Sequence, residues 1–426
     1  MKTAILAALF CLSMGACSRT GISSIDREDL FSLEIGRLED QLALYGLEGD
    51  LGLSRVDLVM REGLFYISDR NGGKVVRYNS YGDLLSMIYN DEFNSAPLGL
   101  KTNQGEDSIV TRWAFTYPLR EPGRIAVDSR KHIYVEDRLP DSSYHYDADT
   151  RALLDSVVLH FDQNGRFVEY LGQEGAGGTP FSRIIGIYTT GQDEIVVVCR
   201  QTTGWTVYRY GAGGRSPLVI NLKNDAIPVP ADWSAVSASV DAIMAAPDSR
   251  DLYLKVDYYR DIYDDSTGTR VGTEPDNSLI WVMDLNSGAY VDCFEVPFLE
   301  RTTFINDRRE SLWMLYSMMG IARGGRVFLL SPVDEGYSIL ILRRERESPG
   351  SSEDSTADPH TVTVFPSANI EQRRGLINVD QEELYLNSFD LSGDGIISAI
   401  LVSDYEAKVV WWRTDKILTE GVPSWP

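Results

Sequence analysis

From residue 56 onward, a group of four short runs rich in β-branched and aromatic residues recurs, with Gly, Asn and Asp between the runs. The first group comprises residues 56–60, 64–69, 74–78 and 84–88. Such runs predict β-strands, and the short turns predict antiparallel pairing. One four-stranded sheet cannot hide both apolar faces from water, but sheets stacked around a common axis cover one another. The recurrence therefore predicts an all-β β-propeller rather than a two-sheet sandwich, which would not need so many copies of one pattern.

The number of copies predicts the number of blades. Six are found, so we expect six four-stranded antiparallel blades in a propeller that spans residues 30–426. Residues 30–36 form an extra strand-like run ahead of the first copy, and we expect them to pair with the last blade and close the ring. The predicted blades cover residues 56–89, 123–172, 184–222, 240–296, 303–342 and 375–418.

The second copy carries the most specific residues. It contains Pro122, Ile-Ala-Val-Asp at 125–128, Ile-Tyr-Val at 133–135, Asp137, Phe161-Asp162, Gly165 and Phe167. This order resembles the repeat of the NHL β-propeller family, and the first copy is close to it. The whole chain is also similar to propeller lipoproteins of spirochaetes. The resemblance implies a propeller and no particular activity.

The N-terminus has the features of an export signal. Residues 4–12 are an apolar run after Lys2, too short to cross a bilayer but suited to a signal peptide. Small residues before Cys17 resemble a bacterial lipobox, although Met14 stands where Leu or Val is usual. We predict a signal peptide of residues 1–16, lipidation of Cys17, a linker of residues 17–29 and anchoring to the cell-envelope membrane on its periplasmic or surface side. Plain secretion after cleavage near Ala16 is the alternative.

The formal net charge of -23 restricts the partners of this chain. Such an acidic surface repels phosphate backbones, so we expect no nucleic-acid partner. It also opposes broad adhesion to anionic lipid headgroups. A protein or glycan partner, including a basic one, remains compatible with this charge, and so does a surface whose acidity serves only solubility.

Strand order sets the face on which each connection lies. If strands a to d run outward from the axis, the a–b and c–d turns lie on one face and the b–c and d–a connections on the other. Every long insertion is predicted at a b–c or d–a position, so one face is trimmed and the other elaborated. We expect the elaborated face to bind a partner, with neutral growth of loops as the alternative. The insertions are residues 138–156 and 258–278 (b–c) and residues 90–121, 223–239 and 343–367 (d–a), the last predicted to be a disordered acidic, Ser-rich loop.

Candidate binding residues fall in two groups on this face. One group recurs at the predicted ends of strand b, where the side chains would ring the axis; bridging of neighbouring blades is the structural alternative. The other group places Tyr beside Asp in the insertions, a combination that gives antibody-like contact surfaces. The candidates are Asp69, Arg70, Asp137, Arg138, Tyr144, Tyr146, Arg200, Asp257, Tyr258, Tyr259, Arg260 and Asn387.

Signals for catalysis are weak. His132 and His160 are predicted to be structural, and no zinc or triad motif and no cofactor motif is found. Asp390 and Asp394 alternate as in an EF-hand loop, but Leu401 stands where the twelfth-position Glu is required, so we interpret the segment as a b–c hairpin turn and only weakly as a metal site. A lactonase-like hydrolase or lyase with a divalent metal near the axis, and a purely architectural envelope component, remain alternatives to a binding protein.

Two cysteines remain beyond residue 17. Cys199 is predicted on an inner strand of one blade and Cys293 on an outer strand of the next. That separation favours two buried thiols over one disulfide.

Overall fold

A computed structural model defines a propeller of antiparallel sheets, which confirms the predicted all-β class. The predicted signal peptide, residues 1–16, and Cys17 lie outside the described residues. Most of the predicted disordered loop, residues 345–362, lies outside them as well. The structure describes residues 23–44, 55–102, 112–171, 180–212, 217–230, 233, 236–305, 308–344 and 363–419.

Blades 1 to 3 are each built from one continuous stretch of chain, with the first strand innermost. Blade 1 also carries two parallel strands on its outer edge, Trp113–Thr116 and Lys101–Thr102. The strands of blade 1 are Val56–Arg61, Leu64–Asp69, Lys74–Asn79 and Leu84–Tyr89. Those of blade 2 are Ile125–Val127, Ile133–Arg138, Ser156–Phe161 and Phe167–Tyr170, and those of blade 3 are Arg183–Thr189, Ile195–Arg200, Gly204–Tyr210 and Leu218–Lys223.

Blades 4 and 5 are larger. Blade 4 consists of Val236–Ala245, Asp251–Tyr263, Arg270–Asp284 and Tyr290–Glu295, with Val364–Phe365 parallel to its outermost strand. Blade 5 consists of Ser317–Ala322, Arg326–Val333, Gly336–Arg343 and Glu371–Asn378, with Ser23–Ser24 parallel to its outermost strand. A separate hairpin, Leu299–Ile305 with Arg308–Met314, lies between these two blades in the chain. The short elements are the hairpin His145–Asp147 with Ala152–Leu154, the 3-10 turns Asp141–Ser143, Asn224–Ala226 and Ser367–Asn369, and the helix Asp415–Thr419.

The last sheet has a composite origin. Leu386–Leu391, Ile396–Val402 and Glu406–Arg413 supply its three inner strands, and Arg27–Glu34 pairs antiparallel with the third to complete it. We call this the closing sheet. The prediction that a strand ahead of the first copy would latch the ring is confirmed. The prediction of six blades is wrong, because five blades are each built from strands that follow one another in the chain, whereas the ring is closed by this shared sheet.

Three predicted boundaries are wrong for related reasons. Residues 303–342 do not form one blade, since the 299–314 hairpin stands apart and blade 5 begins at Ser317. Residues 375–418 do not form one either, because Glu371–Asn378 is the outermost strand of blade 5. The predicted linker 17–29 overlaps Ser23–Ser24 and Arg27–Glu34, which are sheet strands. In the late copies, strand spacing alone does not distinguish the outer strand of one sheet from the inner strand of the next.

The core explains why the sheets form a ring. Six apolar clusters are present among the described residues, one between each neighbouring pair of sheets. In blade 3, Val196 and Val198 pack toward blade 4, whereas Val197 and Cys199 pack toward blade 2. Successive side chains of a strand point to opposite faces, so an uninterrupted apolar run satisfies both neighbours at once.

Buried charges hold the segment that enters blade 1. Lys74, fully buried, donates to the carbonyl oxygens of Leu38 at 2.6 Å and Gln41 at 2.7 Å. Asp69, also fully buried, accepts from the backbone N–H of Ala43 at 2.8 Å. Burial of the two charges is compensated by these hydrogen bonds, which tie the segment after the closing strand to blade 1.

Candidate binding site at the mouth of the axis

In the structure, as in the prediction, the order of the strands places the connections of the blades on two different faces. The b–c and d–a connections form what we call the elaborated face; it carries residues 139–155, the extended 251–284 hairpin and the links 90–124, 224–235 and 296–316. One predicted insertion changes face: residues 343–367 join the third and fourth strands of blade 5 and so leave from the opposite, trimmed face. Part of that predicted loop is also ordered, since Val364–Phe365 pairs with blade 4.

A cavity of about 580 Å³ opens on the elaborated face between blades 1, 2 and 3 and the closing sheet. We call it the axial pocket. Its walls are the first residues of the innermost strands and the last residues of the second strands, which antiparallel order brings to the same face. The innermost strands contribute Arg55, Asp57, Arg124, Arg183 and residues 386–389, and the second strands and adjoining links contribute Arg70, Glu121, Glu136, Arg138 and Asp155.

Ion pairs organise one side of the axial pocket. Glu121 forms ion pairs with Arg70 and with Arg138, the latter at 3.2 Å. Arg124 contacts Asp57 at 2.8 Å, and the same carboxylate accepts from the backbone N–H of Ile125 at 3.1 Å. Each of these carboxylates contacts two donors, and this holds the neighbouring guanidinium groups in position.

The arginines are close enough to affect one another. Burial, followed by the charges of Arg183, Arg124 and Arg70, lowers the pKa of Arg55 from its usual value. Burial raises the pKa of Asp57 and of Glu136. Burial is the largest cause of all three shifts, because it disfavours the charged form of each group. The neighbouring arginines add to the effect at Arg55, whereas they oppose it at Asp57 and Glu136.

The acidic candidates at the strand ends are engaged inside the protein. Asp137, 4% exposed, accepts from the backbone N–H groups of Arg120 at 3.0 Å and Glu121 at 2.8 Å, and burial raises its pKa to about 6. Asp257 accepts from Lys255 and from the Ser278 hydroxyl, both at 2.7 Å. Asp69 and Asp137 are thus bonded to backbone N–H groups and Asp257 to side chains, and all three offer little surface to a partner.

Three basic or amide candidates do line the axial pocket: Arg70, Arg138 and Asn387. Asn387 lies at the start of an innermost strand rather than at the predicted end of a second strand, and both positions reach the same face. Arg138 also stacks over the Tyr144 ring at 5.4 Å. Arg200 lies over the Trp205 ring at 4.5 Å. The pocket thus brings together candidates from separate copies of the repeat.

The tyrosine candidates separate into exposed and buried side chains. Tyr146 is 61% exposed on the 145–154 hairpin, whereas Tyr258 is fully buried and donates to the Pro228 carbonyl at 2.5 Å. Tyr259 is half-buried. Arg260 is exposed and pairs with Glu274 at 2.9 Å. The segment predicted as a loop at 258–278 is largely a continuation of two strands, which turns Tyr258 inward.

Asp390 and Asp394 do not converge as metal ligands. Asp390 contacts the Met60 backbone in blade 1, whereas Asp394 forms an ion pair with Arg323 of blade 5. Their turn joins the first and second strands of the closing sheet, so it is an a–b turn and not the predicted b–c turn. Among the described residues, no group of three or more His, Cys, Asp or Glu side chains is suited to holding a metal.

The remaining histidine and cysteine predictions can be located. His132 Nδ1 lies 2.9 Å from His160 Nε2, and the Tyr134 ring stacks on His160. Burial, followed by the charge of His132, lowers the pKa of His160. Cys199 and Cys293 are free and fully buried, as expected, and burial raises the pKa of both thiols.

Three arginines of the axial pocket were missed by sequence reasoning. Arg55, Arg124 and Arg183 each stand directly before an apolar residue at or near the start of an innermost strand. The recurrence of Arg at this one position of three copies was a detectable signal.

Comparison with known proteins is informative about fold only. No family model matches this chain, and no curated protein matches it in sequence. A glucose dehydrogenase is 10% identical with a TM-score of 0.39, over 91% of this chain and 99% of that one. A protein described as a gluconolactonase is 10% identical with a TM-score of 0.38, over 92% and 94%. A Bacteroides fragilis protein described as exported is 13% identical with a TM-score of 0.32, over 75% and 73%.

These similarities are too low to carry an argument about activity. The resemblance to NHL repeats and to spirochaete lipoproteins stays a prediction. In the part of the chain that the structure covers, no helix has the length and apolar character needed to span a membrane.

Proposed function

We propose that this chain is an exported lipoprotein of the cell envelope that binds a protein or glycan partner through its elaborated face. The observation that carries the proposal is the axial pocket, a concave and largely polar cavity at the centre of the face where the long connections gather. Concave sites of this size on a rigid scaffold, surrounded by variable loops, are the usual location of ligand recognition.

Exposed side chains around the connections support a larger contact than the cavity alone. Tyr146 projects from one hairpin of this face. At the tip of the 251–284 hairpin, Tyr263 is 57% exposed and Val271 is 63% exposed. Aromatic and aliphatic groups presented on hairpins favour contact with a partner surface.

Lipid anchoring would hold the rim of blade 5 close to a membrane. Five residues, 18–22, separate the proposed lipidation site at Cys17 from Ser23, which pairs with the edge of blade 5. A fully extended connection of that length spans roughly 20 Å. We therefore propose that the rim of blade 5 lies within that distance of the lipid headgroups.

A binding role accounts for the described residues better than a metal-dependent hydrolase does. The pocket carboxylates are used in ion pairs with arginine and in hydrogen bonds to backbone N–H groups. This arrangement orients guanidinium groups and leaves no described set of carboxylates converging on one point. Guanidinium groups held in this way recognise ligands rather than activate water.

The test compares the two faces of the full-length chain by cross-linking in its own envelope. Residues 141–153 are replaced by two glycines, which is feasible because the Leu139 N–H and the Asp155 carbonyl are already joined at 2.8 Å. The matched control is Tyr81→Ser, since Tyr81 is 87% exposed in the turn between the third and fourth strands of blade 1, on the trimmed face. We expect the first variant to lose cross-linked partner and the control to retain it. Equal cross-linking by both variants would contradict the proposal.

A further inference from the structure

The axial pocket has the opposite charge to the rest of the molecule. Five arginines line it against four acidic side chains, in a chain whose formal net charge is -23. Placing several arginines close together is energetically unfavourable, because like charges at close range repel strongly where water is partly excluded. The axial pocket therefore differs in charge from the acidic surface around it.

The arginines of the pocket have different charged neighbours. Arg70 and Arg138 share Glu121, and Arg124 is held by Asp57. Within the described part of the chain, Arg183 forms no ion pair, and it stands directly opposite Arg200 in blade 3. Burial, followed by the charges of the nearby Arg183, Arg124 and Arg70, lowers the pKa of Arg55. An oxyanion placed between Arg55 and Arg183 would relieve this repulsion and accept hydrogen bonds from both.

We propose that the axial pocket binds an acidic sugar, whose carboxylate or phosphate group is held by Arg55 and Arg183. This inference rests on the proposed binding function and specifies its ligand. Glu136, Asn387 and Ser388 line the same cavity and supply acceptors and donors for ring hydroxyls. The sugar places its anionic group at the arginines and its hydroxyls against the polar wall.

Size and charge favour a small anion over a polymer with many charges. A cavity of about 580 Å³ is in the range that encloses a small molecule. A polyanion would carry most of its charge outside the pocket, where the acidic surface repels it. A ligand with one or two negative charges gains the attraction of the arginines without that cost.

The test is calorimetric titration of the full-length chain in detergent with four probes: glucuronate, glucose 6-phosphate, inorganic phosphate and glucose. We expect glucuronate or glucose 6-phosphate to bind at least about tenfold more tightly than glucose, with an affinity that falls as salt is added. The two sugar probes distinguish a carboxylate from a phosphate as the preferred group. Inorganic phosphate is expected to bind more weakly than the sugar phosphate, because it leaves the hydroxyl contacts unmade.

Matched variants locate the site. Arg183→Gln and Arg55→Gln are each expected to weaken the binding of the preferred probe by about tenfold or more. Arg413→Gln, at an exposed arginine of the closing sheet that does not line the pocket, is the control and is expected to leave affinity unchanged. Thermal unfolding of each variant establishes that it is folded.

Three results would overturn the inference: no binding of either acidic sugar up to about 10 mM, equal binding of glucose, or full affinity in both pocket variants. These failures are distinguishable from failure of the proposed function. If cross-linking to the elaborated face persists while acidic sugars do not bind, the binding role stands and the ligand chemistry is wrong.

Discussion

Asp390 accepts a hydrogen bond of 2.8 Å from the backbone N–H of Met60, which joins the innermost strand of the closing sheet to that of blade 1. Asp57 likewise accepts a hydrogen bond of 3.1 Å from the backbone N–H of Ile125, and Asp241 accepts one of 3.0 Å from that of Met318. The inner edge of each sheet presents N–H groups that no further strand can pair. A carboxylate from the neighbouring sheet satisfies such a group and links adjacent innermost strands around the axis.

The first prediction concerns the pH dependence of stability. Burial raises the pKa of Asp390 to about 7 from an ordinary value of 3.8. Because the folded-state value is raised, the stabilising contribution of protonated Asp390 is fully present below pH 3.8 and is lost as the pH rises through about 7. Asp390→Asn keeps an acceptor for Met60 and never ionises. We expect this variant to exceed the wild type in free energy of unfolding by about 1–3 kcal/mol at pH 8, with the difference disappearing near pH 4.

Urea unfolding between pH 4 and pH 8 measures this effect. Asp394→Asn is the control, since its side chain is 68% exposed and lies on the same turn. It is expected to leave the pH profile unchanged. A stability difference for Asp390→Asn that is the same at every pH would show that ionisation of this carboxyl is not the cause.

The second prediction concerns the segment that enters blade 1. Lys74→Met removes the ammonium group that contacts two carbonyl oxygens and leaves Asp69 buried without its neighbouring positive charge. The buried carbonyl oxygens and the Asp69 charge are then left uncompensated, so we expect a loss of about 3 kcal/mol in the free energy of unfolding. Chemical denaturation measures it. Lys416→Met, which removes an exposed ion pair with Asp26, is the matched control and should have no measurable effect.

The third prediction concerns the closing sheet. Leu33, 4% exposed, belongs to the outermost strand and packs in the cluster between this sheet and blade 1. Leu33→Ala should lower the free energy of unfolding by about 2–4 kcal/mol through lost burial and a residual cavity. Leu38→Ala, at a position 64% exposed, should change it little. If both variants match the wild type, the N-terminal strand does not contribute to closure of the ring.

The fourth prediction concerns the thiols. Cys199 and Cys293 are fully buried and free, and burial raises the pKa of each. The thiolate is the reactive form, so we expect no modification of either residue by a maleimide in the native protein and complete modification in urea. Peptide mass spectrometry separates these two sites from Cys11 and Cys17. Rapid native labelling of Cys293 would show that the outer edge of blade 4 opens.

The early copies of the repeat were predicted closely and the late copies were not. In blade 2, residues such as Ile133 and Tyr134 match both the local strand pattern and the structure. Near residue 300, the chain contains a hairpin outside the blades, and a long excursion separates Gly336–Arg343 from Glu371–Asn378. Both features keep the local strand pattern while changing the pairing, so counting strands in order assigned them to the wrong sheets.

The candidate site was predicted in part. The prediction places three pocket residues on the correct face: Arg70, Arg138 and Asn387. It succeeds because the face that a strand end reaches depends only on the order of the antiparallel strands. The prediction that Asp69, Asp137 and Tyr258 contact a partner is not met, because their side chains turn into the protein. Strand position does not reveal whether a polar group faces a partner or a neighbouring backbone N–H.

The sequence by itself determined that this chain forms stacked antiparallel sheets, because apolar runs that alternate toward two faces must be covered on both sides. Only the tertiary structure decided that residues 27–34 complete the last sheet, and that Arg55, Arg124 and Arg183 meet in one cavity. How the ring closes decides which strands almost 400 residues apart form hydrogen bonds with each other. It also decides which side chains from three sheets converge. No local pattern encodes that closure.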